Sequence, residues 1–314
     1  MENSVRVKPF ELAEKNALLS FLQAAYPDAP RQSDPRFWEW HFLESPYVTP
    51  DKMPVWVVKN GEQIIGQLAA IPVELKVGGV QTRAMWILDF IVHHDYRGRG
   101  LGKRLVRAAE EFCPLCLGVN TNEQTAPLLL KSLGWVIVGK IPRYSKLLFP
   151  GNALREVSQF KPLRQLINLC YAPLRPQLAE RAANEDDRLQ NVEQFDSSFD
   201  TLWQEASGQW PCAVVRDSGM LKWQYTQQPG KQFDVLGFYE NNRLVGYVVL
   251  FFRKTDEHGA LPKAAITDLF YHPDKPLEIV DGLLQGALRM AVKRRAGALV
   301  TDVIDPLVEE RLQH

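Results

Sequence analysis

Three stretches of this chain recur, in the same order, about 180 residues further on, and this recurrence limits the fold more than any other feature. Phe37-Trp38-Glu39-Trp40-His41-Phe42-Leu43-Glu44-Ser45-Pro46 is matched by Met220-Leu221-Lys222-Trp223-Gln224-Tyr225-Thr226-Gln227-Gln228-Pro229, a shift of 183. Gln63-Ile64-Ile65-Gly66 is matched by Arg243-Leu244-Val245-Gly246 at a shift of 180. Leu88-Asp89-Phe90-Ile91-Val92-His93 is matched by Thr267-Asp268-Leu269-Phe270-Tyr271-His272 at a shift of 179. Chance matches would scatter in offset. Offsets this close, in constant order, point to one αβ unit present twice.

Length and composition allow for that. A chain of 314 residues with 46% hydrophobic and 24% charged residues can bury two ordinary cores. Lys+Arg and Asp+Glu both number 37, so no charge excess calls for nucleic acid or an anionic membrane. No apolar run approaches the ~20 residues of a membrane span. Met1-Glu2-Asn3-Ser4 does not open a signal peptide, and the expected location is the cytoplasm. Four cysteines do not make a disulfide framework at this length. Cys113 and Cys116 have Cys-x-x-Cys spacing but no second pair, so they read as buried thiols, and no metal is expected.

Along the first copy, Val5–Val7 reads as a strand and Phe10–Tyr26 as a helix stopped by Pro27. Phe37, Trp40 and Leu43 form one helical stripe, with Trp38 and Phe42 beside it. Pro54–Val58, Ile64–Val77 and Arg83–Val92 form an antiparallel meander with turns at Asn60-Gly61 and Gly78-Gly79. A helix over 101–112 then crosses to a buried strand, Leu115–Val119, parallel to 85–92. A short helix from Asn122 to Leu133 ends at Gly134. Trp135–Gly139 and Tyr144–Phe149 are expected to pair as closing strands of this copy. Phe160 to Cys170 has the pattern of a basic amphipathic helix, expected to dock between domains. The resulting division is 1–149, a linker at 150–188, and a second copy at 189–314.

The chemistry concentrates where the meander ends. Asp89-Phe90-Ile91-Val92 finishes a buried strand, and His93-His94-Asp95-Tyr96-Arg97-Gly98-Arg99-Gly100-Leu101-Gly102-Lys103 turns into a helix. A strand, a glycine-rich turn and a helix start present free backbone N–H groups and a positive dipole end to an anion. The P-loop pattern fails because Lys103 is followed by Arg104. The dinucleotide fingerprint fails because the glycines alternate. What fits is Arg-x-x-Gly-x-Gly, read as Arg97, Gly100 and Gly102.

That motif in this setting resembles the acetyl-CoA-binding motif of the GNAT N-acetyltransferase superfamily, and the resemblance covers roughly residues 1–148. A second signature, Ala126…Leu133-Gly134-Trp135, is similar to the family's Asn-x-x-Ala-x-x-Leu-Tyr-x-x-x-Gly-Phe, with Glu123 at the asparagine position and Leu130 at the tyrosine position. The resemblance implies an α+β fold of two tandem GNAT-like units, each a mixed, mostly antiparallel sheet flanked by helices. The first would be intact and the second degenerate. It also implies that Phe90, Ile91 and Val92 hold the pantetheine arm of acetyl-CoA. Arg97, Gly98, Arg99, Gly100, Leu101 and Gly102, with Lys103, would hold its pyrophosphate, and Asn122 is a further cofactor-binding candidate. The activity implied is acetyl transfer to a small-molecule amine: an amino sugar, an amino acid or a polyamine. The alternatives are a non-catalytic acyl-CoA-binding module and an aminoacyl transferase of two GNAT-like halves.

Candidate proton acceptors are Asp89 and His93 at the strand end and Glu39 and His41 on the tryptophan helix. Both Asp89 and His93 are mirrored, by Asp268 and His272, in a copy without the glycine motif, which suggests a structural turn role for them. Tyr144 is the candidate acid, and Trp38 and His41 the candidate substrate contacts. The second copy has Asp274, Glu278 and Asp281 around the matching turn. Carboxylates there would oppose a phosphate, so one CoA is expected per chain.

Overall fold

The computed structural model describes residues 5–49, 52–119, 125–149, 161–170, 186–253 and 263–313. In chain order, β1 (Val5–Pro9), β2 (Val55–Asn60), β3 (Gln63–Val77), β4 (Val80–Val92) and β5 (Cys116–Leu117) are followed by β6 (Arg143–Leu147), β7 (Leu189–Asn191) and β8 (Cys212–Val214). Then come β9 (Phe233–Glu240), β10 (Arg243–Phe252), β11 (Lys263–Tyr271) and β12 (Ala298–Asp302). The chain forms two compact units, neither contiguous in sequence. Unit 1 is Met1–Val138 with Trp210–Gly230, and unit 2 is Gly139–Gln209 with Lys231–His314.

Unit 1 is built on a sheet of order β1-β2-β3-β4-β5, antiparallel except for the β4–β5 pair, with β8 on the far end of β3. Its faces carry separate cores. Ala69, Ile71 and Val73 of β3 face the core shared with helices α1 (Lys15–Ala25) and α2 (Pro35–Phe42). Leu68 and Ala70 face the core under helix α3 (Leu101–Phe112). Burial on both faces explains why β3 reads as an almost unbroken apolar run. Asp34 caps α2 by accepting from the Phe37 N–H at 2.9 Å. Asp217 does the same for Met220 at 2.7 Å. The repeat thus begins three residues before its aromatic stretch, with the capping aspartates.

Unit 2 carries a sheet of order β6-β12-β11-β10-β9-β7. Its β9-β10-β11 meander, helix Pro276–Lys293 and parallel strand β12 follow the β2-β3-β4-α3-β5 succession of unit 1. The expected closing hairpin of copy one is not formed. Trp135–Gly139 is not a strand, and Val136, Ile137 and Val138 are exposed. Tyr144 lies on β6, which pairs antiparallel with β12 from Arg143↔Asp302 to Leu147↔Ala298. Two contacts hold it there. Arg143 grips the Asp302 carboxylate with two hydrogen bonds of 2.7 Å, and Leu148, 1% exposed, packs with Ala264, Leu288 and Ala291. This strand supplies part of the closure that the second copy lacks in its own sequence.

Two further segments bear on the sequence reading. The short helix expected over 122–133 is helical from 125 to 132, α at Thr125–Pro127 and π at Leu128–Ser132, and Asn122 lies outside the described residues. Lys161–Cys170 is helical, but Leu163, Leu166 and Leu169 are exposed instead of packed. Among the described residues, no helix is long and apolar enough to cross a membrane.

Candidate active site

The site is assembled from the last residues of β4, the glycine turn and the first turn of α3, all within unit 1. β4 and β5 pair only at Met85↔Cys116 and Trp86↔Leu117. Beyond Trp86, β4 runs on to Val92 with no partner on its β5 side among the described residues. A parallel pair that parts in mid-sheet leaves a row of backbone donors and acceptors at an open edge. Such an edge accepts an extended chain carrying amides, as a strand would.

On its other side β4 is paired with β3, and here the ladder is broken. Gln67 faces Ile91 and Ala69 faces Leu88, so Asp89 and Phe90 together oppose Leu68. This is a β-bulge, with one strand carrying an extra residue. Asp89 takes up the distortion with φ +42, a left-handed conformation that aspartate tolerates better than most residues. The bulge falls inside the stretch of β4 that has no partner on its β5 side among the described residues.

At the end of β4, Arg97 folds back and its Nε donates to the Val92 carbonyl at 3.0 Å. Arg99 donates to the Asp95 carbonyl at 3.1 Å, with its guanidinium 5.1 Å from the centre of the Tyr96 ring. Gly98 and Gly100 have φ of +76 and +74, and Gly100 is the residue at which α3 begins. The first-turn N–H groups of a helix have no partner within it, and no acidic side chain lies in the first turn of α3. Lys103 and Arg104 are exposed beside them. The arrangement suits a phosphate-bearing ligand. Gly102 has a different role. A Cβ there would lie 3.1 Å from Phe90 Cζ and 3.2 Å from Leu128 Cδ2, so this glycine lets α3 close on the side chain of the bulge.

The candidate proton acceptors separate clearly. Burial raises the Asp89 carboxyl to about 6, and no donor among the described residues bonds to it. Its field in turn helps burial to raise the phenol of Tyr26, just past the end of α1. Glu39 is held by Lys15 and Arg36, which keep its carboxyl below the usual range. His93 Nδ1 accepts from the Asp95 N–H at 3.4 Å. The His93 and His94 rings are stacked, with centroids 4.3 Å apart and planes at 27°. One ligand atom each of His93, His94 and Asp95 lies within 4.8 Å of the other two.

The other predicted side chains lie elsewhere. Trp38 is 1% exposed, packed on Phe10 and Phe42. It belongs to the core and cannot line a pocket, because α2 turns this side of its stripe inward. His41 is partly exposed among Phe37, Trp40 and Trp223. The Tyr144 hydroxyl donates to Glu309 in unit 2, which raises its pKa. A phenol committed in this way is a weak candidate for donating to a leaving thiolate. Sequence reasoning missed Gln67, fully buried on β3, whose Nε2 donates to the Asp89 carbonyl at 3.3 Å. A single glutamine in an apolar run was the available signal.

Comparison with known proteins agrees with this architecture. Residues 6–114 match the family model of the acetyltransferase (GNAT) domain. No curated protein sequence matches the chain. Among solved structures, N-myristoyltransferase of Saccharomyces cerevisiae with bound myristoyl-CoA is 13% identical with a TM-score of 0.61, over 100% of this chain and 80% of that one. A probable N-acyltransferase from Enterococcus faecalis is 13% identical with a TM-score of 0.62, over 95% of this chain and 65% of its own. A GCN5-related N-acetyltransferase from Anabaena variabilis is 14% identical with a TM-score of 0.59, over 97% and 68%. The chain therefore has the α+β fold of tandem GNAT-like units, and residues 6–114 match the GNAT domain model.

Proposed function

We propose that the chain is an acetyl-CoA-dependent N-acetyltransferase acting on a small-molecule amine, with unit 1 as the catalytic unit. The observation that carries this reading is the coincidence, on one strand end, of an anion-suited helix start with a backbone edge and a carboxyl, raised to about 6, that have no partner among the described residues. The open edge of β4 from Ile87 to Val92 would hold the amides of the pantetheine arm. The turn from Arg97 to Gly102, with Lys103, would hold the pyrophosphate. Bound acetyl-CoA supplies a thioester that an amine can attack, with the thiolate as leaving group.

The chain's own contribution is placement and proton transfer. Backbone N–H groups around the bulge are fixed donors of the kind that stabilise charge developing on a carbonyl oxygen. Asp89, with its pKa near 6, is ionised at neutral pH yet close enough to it to accept a proton from the incoming amine. Its mirror-image relation to Asp268 does not reduce it to a turn residue, because the surroundings differ. Asp268 accepts from the Tyr247 hydroxyl at 3.2 Å and from the Leu269 N–H at 3.0 Å. Protonation of the thiolate is left to solvent.

Calorimetric titration with acetyl-CoA, and with myristoyl-CoA in parallel, tests the donor. CoA release over a panel of amino sugars, amino acids and polyamines tests the acceptor. Acetyl-CoA binding with turnover on one amine class is the expected result. No binding of either thioester would overturn the reading.

A further inference from the structure

Gln67 is 0% exposed on β3, in a position surrounded by apolar residues. A buried side-chain amide is costly unless its polar atoms are bonded. Its Nε2 donates to the Asp89 carbonyl at 3.3 Å, while Oε1 has no partner among the described residues. A carbonyl can only accept, so this contact fixes which end of the amide faces it. The carbonyl concerned belongs to the bulge, where the β3–β4 ladder skips. The side chain of Gln67 thus provides a donor where the ladder provides none.

The second copy uses the same position differently. Gln67 is paired with Ile91, and Tyr247, its counterpart at a shift of 180, is paired with Phe270. Tyr247 bypasses the backbone and donates its hydroxyl to Oδ2 of Asp268. In β11 the bulge has moved to Thr267, and Asp268 stays in register with Val249. One copy therefore binds the peptide of its aspartate and the other binds the carboxylate.

We infer that Gln67 is a positioning residue: by holding the Asp89 peptide in the bulge, it leaves the Asp89 carboxylate uncommitted for proton transfer. The inference rests on the reading of Asp89 as proton acceptor. It also explains why a tyrosine is tolerated in a copy without the glycine motif, where no carboxylate has to stay free. The titratable group acting with Asp89 is Tyr26, and no cation among the described residues faces it.

The test is a set of four variants, with kcat followed against pH and acetyl-CoA affinity measured separately. Gln67→Tyr introduces the second-copy arrangement. It should lower kcat tenfold or more and move the acid limb of kcat down by a pH unit or more, since a donor to the carboxylate favours its charged form. Gln67→Met keeps the volume and removes the donor. It should lower kcat tenfold with the Kd for acetyl-CoA within twofold, and it decides the matter if the tyrosine variant does not fold. Tyr247→Gln should leave kcat unchanged. Asp89→Asn should lose most activity. If it does not, Asp89 is not the acceptor and the inference falls with its premise. If Asp89→Asn is inactive while Gln67→Met keeps its wild-type rate, only the positioning role of Gln67 is overturned.

Discussion

Trp40 and Trp223 hydrogen-bond each other reciprocally: each indole Nε1–H donates to the other residue's carbonyl oxygen at 2.9 Å. Their rings stack with centroids 4.7 Å apart and planes at 17°. The two residues are 183 apart, which is the offset of the repeat. Equivalent helices of the two copies therefore meet about a local approximate two-fold, as in the isologous contact of a symmetric dimer. A duplicated unit that once paired with itself would leave this contact behind. It also accounts for the presence of Trp210–Gly230 in unit 1.

The pair should be strongly coupled. Trp40→Phe keeps most of the buried ring but leaves the Trp223 carbonyl without its donor, at a cost of about 1–3 kcal/mol. Trp223→Phe should cost the same by symmetry. Because the two changes share one stacked contact, the double variant should fall short of the sum by at least ~0.5 kcal/mol. Urea unfolding of the four proteins measures this, and simple additivity would show that the contact is not a unit.

Asp89→Asn should make the protein more stable and a poorer catalyst. Burial raises the native carboxyl to about 6, above the ~4 of an unfolded aspartate. The native state then holds its proton more tightly than the unfolded one. Stability therefore falls as pH rises from about 4 to about 6, and the loss persists above that. Asparagine cannot ionise and accepts the left-handed backbone, so at pH 8 the variant should gain ~1–2 kcal/mol. Below about pH 4 the gain should vanish. Melting curves of both proteins at pH 4 and 8 check the sign, and a variant that gains nothing over the wild type at pH 8, or gains as much at pH 4, would contradict it.

Much of unit 1 was legible because its signals are local. The apolar runs, the Gly-Gly turn and the aromatic stripe specify β3, β4 and α2 without reference to anything distant. The glycine motif was legible for the same reason, since positive φ at Gly98 and Gly100 is written in residue type. What could not be read was partner choice. β6 has the composition of a closing strand for either sheet, and the deciding groups, Asp302 and the pocket for Leu148, lie about 150 residues on. The bulge was hidden too, because Asp89 and Asp268 are identical in type and differ only in ladder register. Trp38 misled because an aromatic stripe on a short helix does not reveal which side turns inward.

Gly102 should be intolerant of even one methyl group. Its added Cβ would stand 3.1 Å from Phe90 and 3.2 Å from Leu128, so in Gly102→Ala either these side chains or the helix start has to give, and the packing of Phe90 in the bulge favours the helix start. Overpacking of this kind costs about 1–3 kcal/mol. The shift should raise the KM for acetyl-CoA and lower kcat together, since turn and bulge move as one. A variant with normal kinetics and normal melting would mean that Phe90 yields freely.

One CoA should bind per chain. The turn preceding the Pro276–Lys293 helix has no glycine motif, and its residues are already engaged. Glu278 pairs with Arg188, Asp281 takes two hydrogen bonds from Arg311 at 2.6 and 2.7 Å, and Lys275 pairs with Glu240 at 3.1 Å. A phosphate brought here would meet carboxylates while the neighbouring cations are engaged elsewhere. In unit 1, by contrast, Gly100 has open space around its missing side chain. Gly100→Val would therefore not clash within the protein. Its penalty is the left-handed φ, about 1–2 kcal/mol for a side-chain-bearing residue, and a turn that relaxes to avoid it withdraws the N–H groups from the ligand. CoA affinity should fall about tenfold. Titration should give a stoichiometry of one for the wild type; a second equivalent of CoA bound would refute the single site, and wild-type affinity in the valine variant would refute its placement at the glycine turn of unit 1.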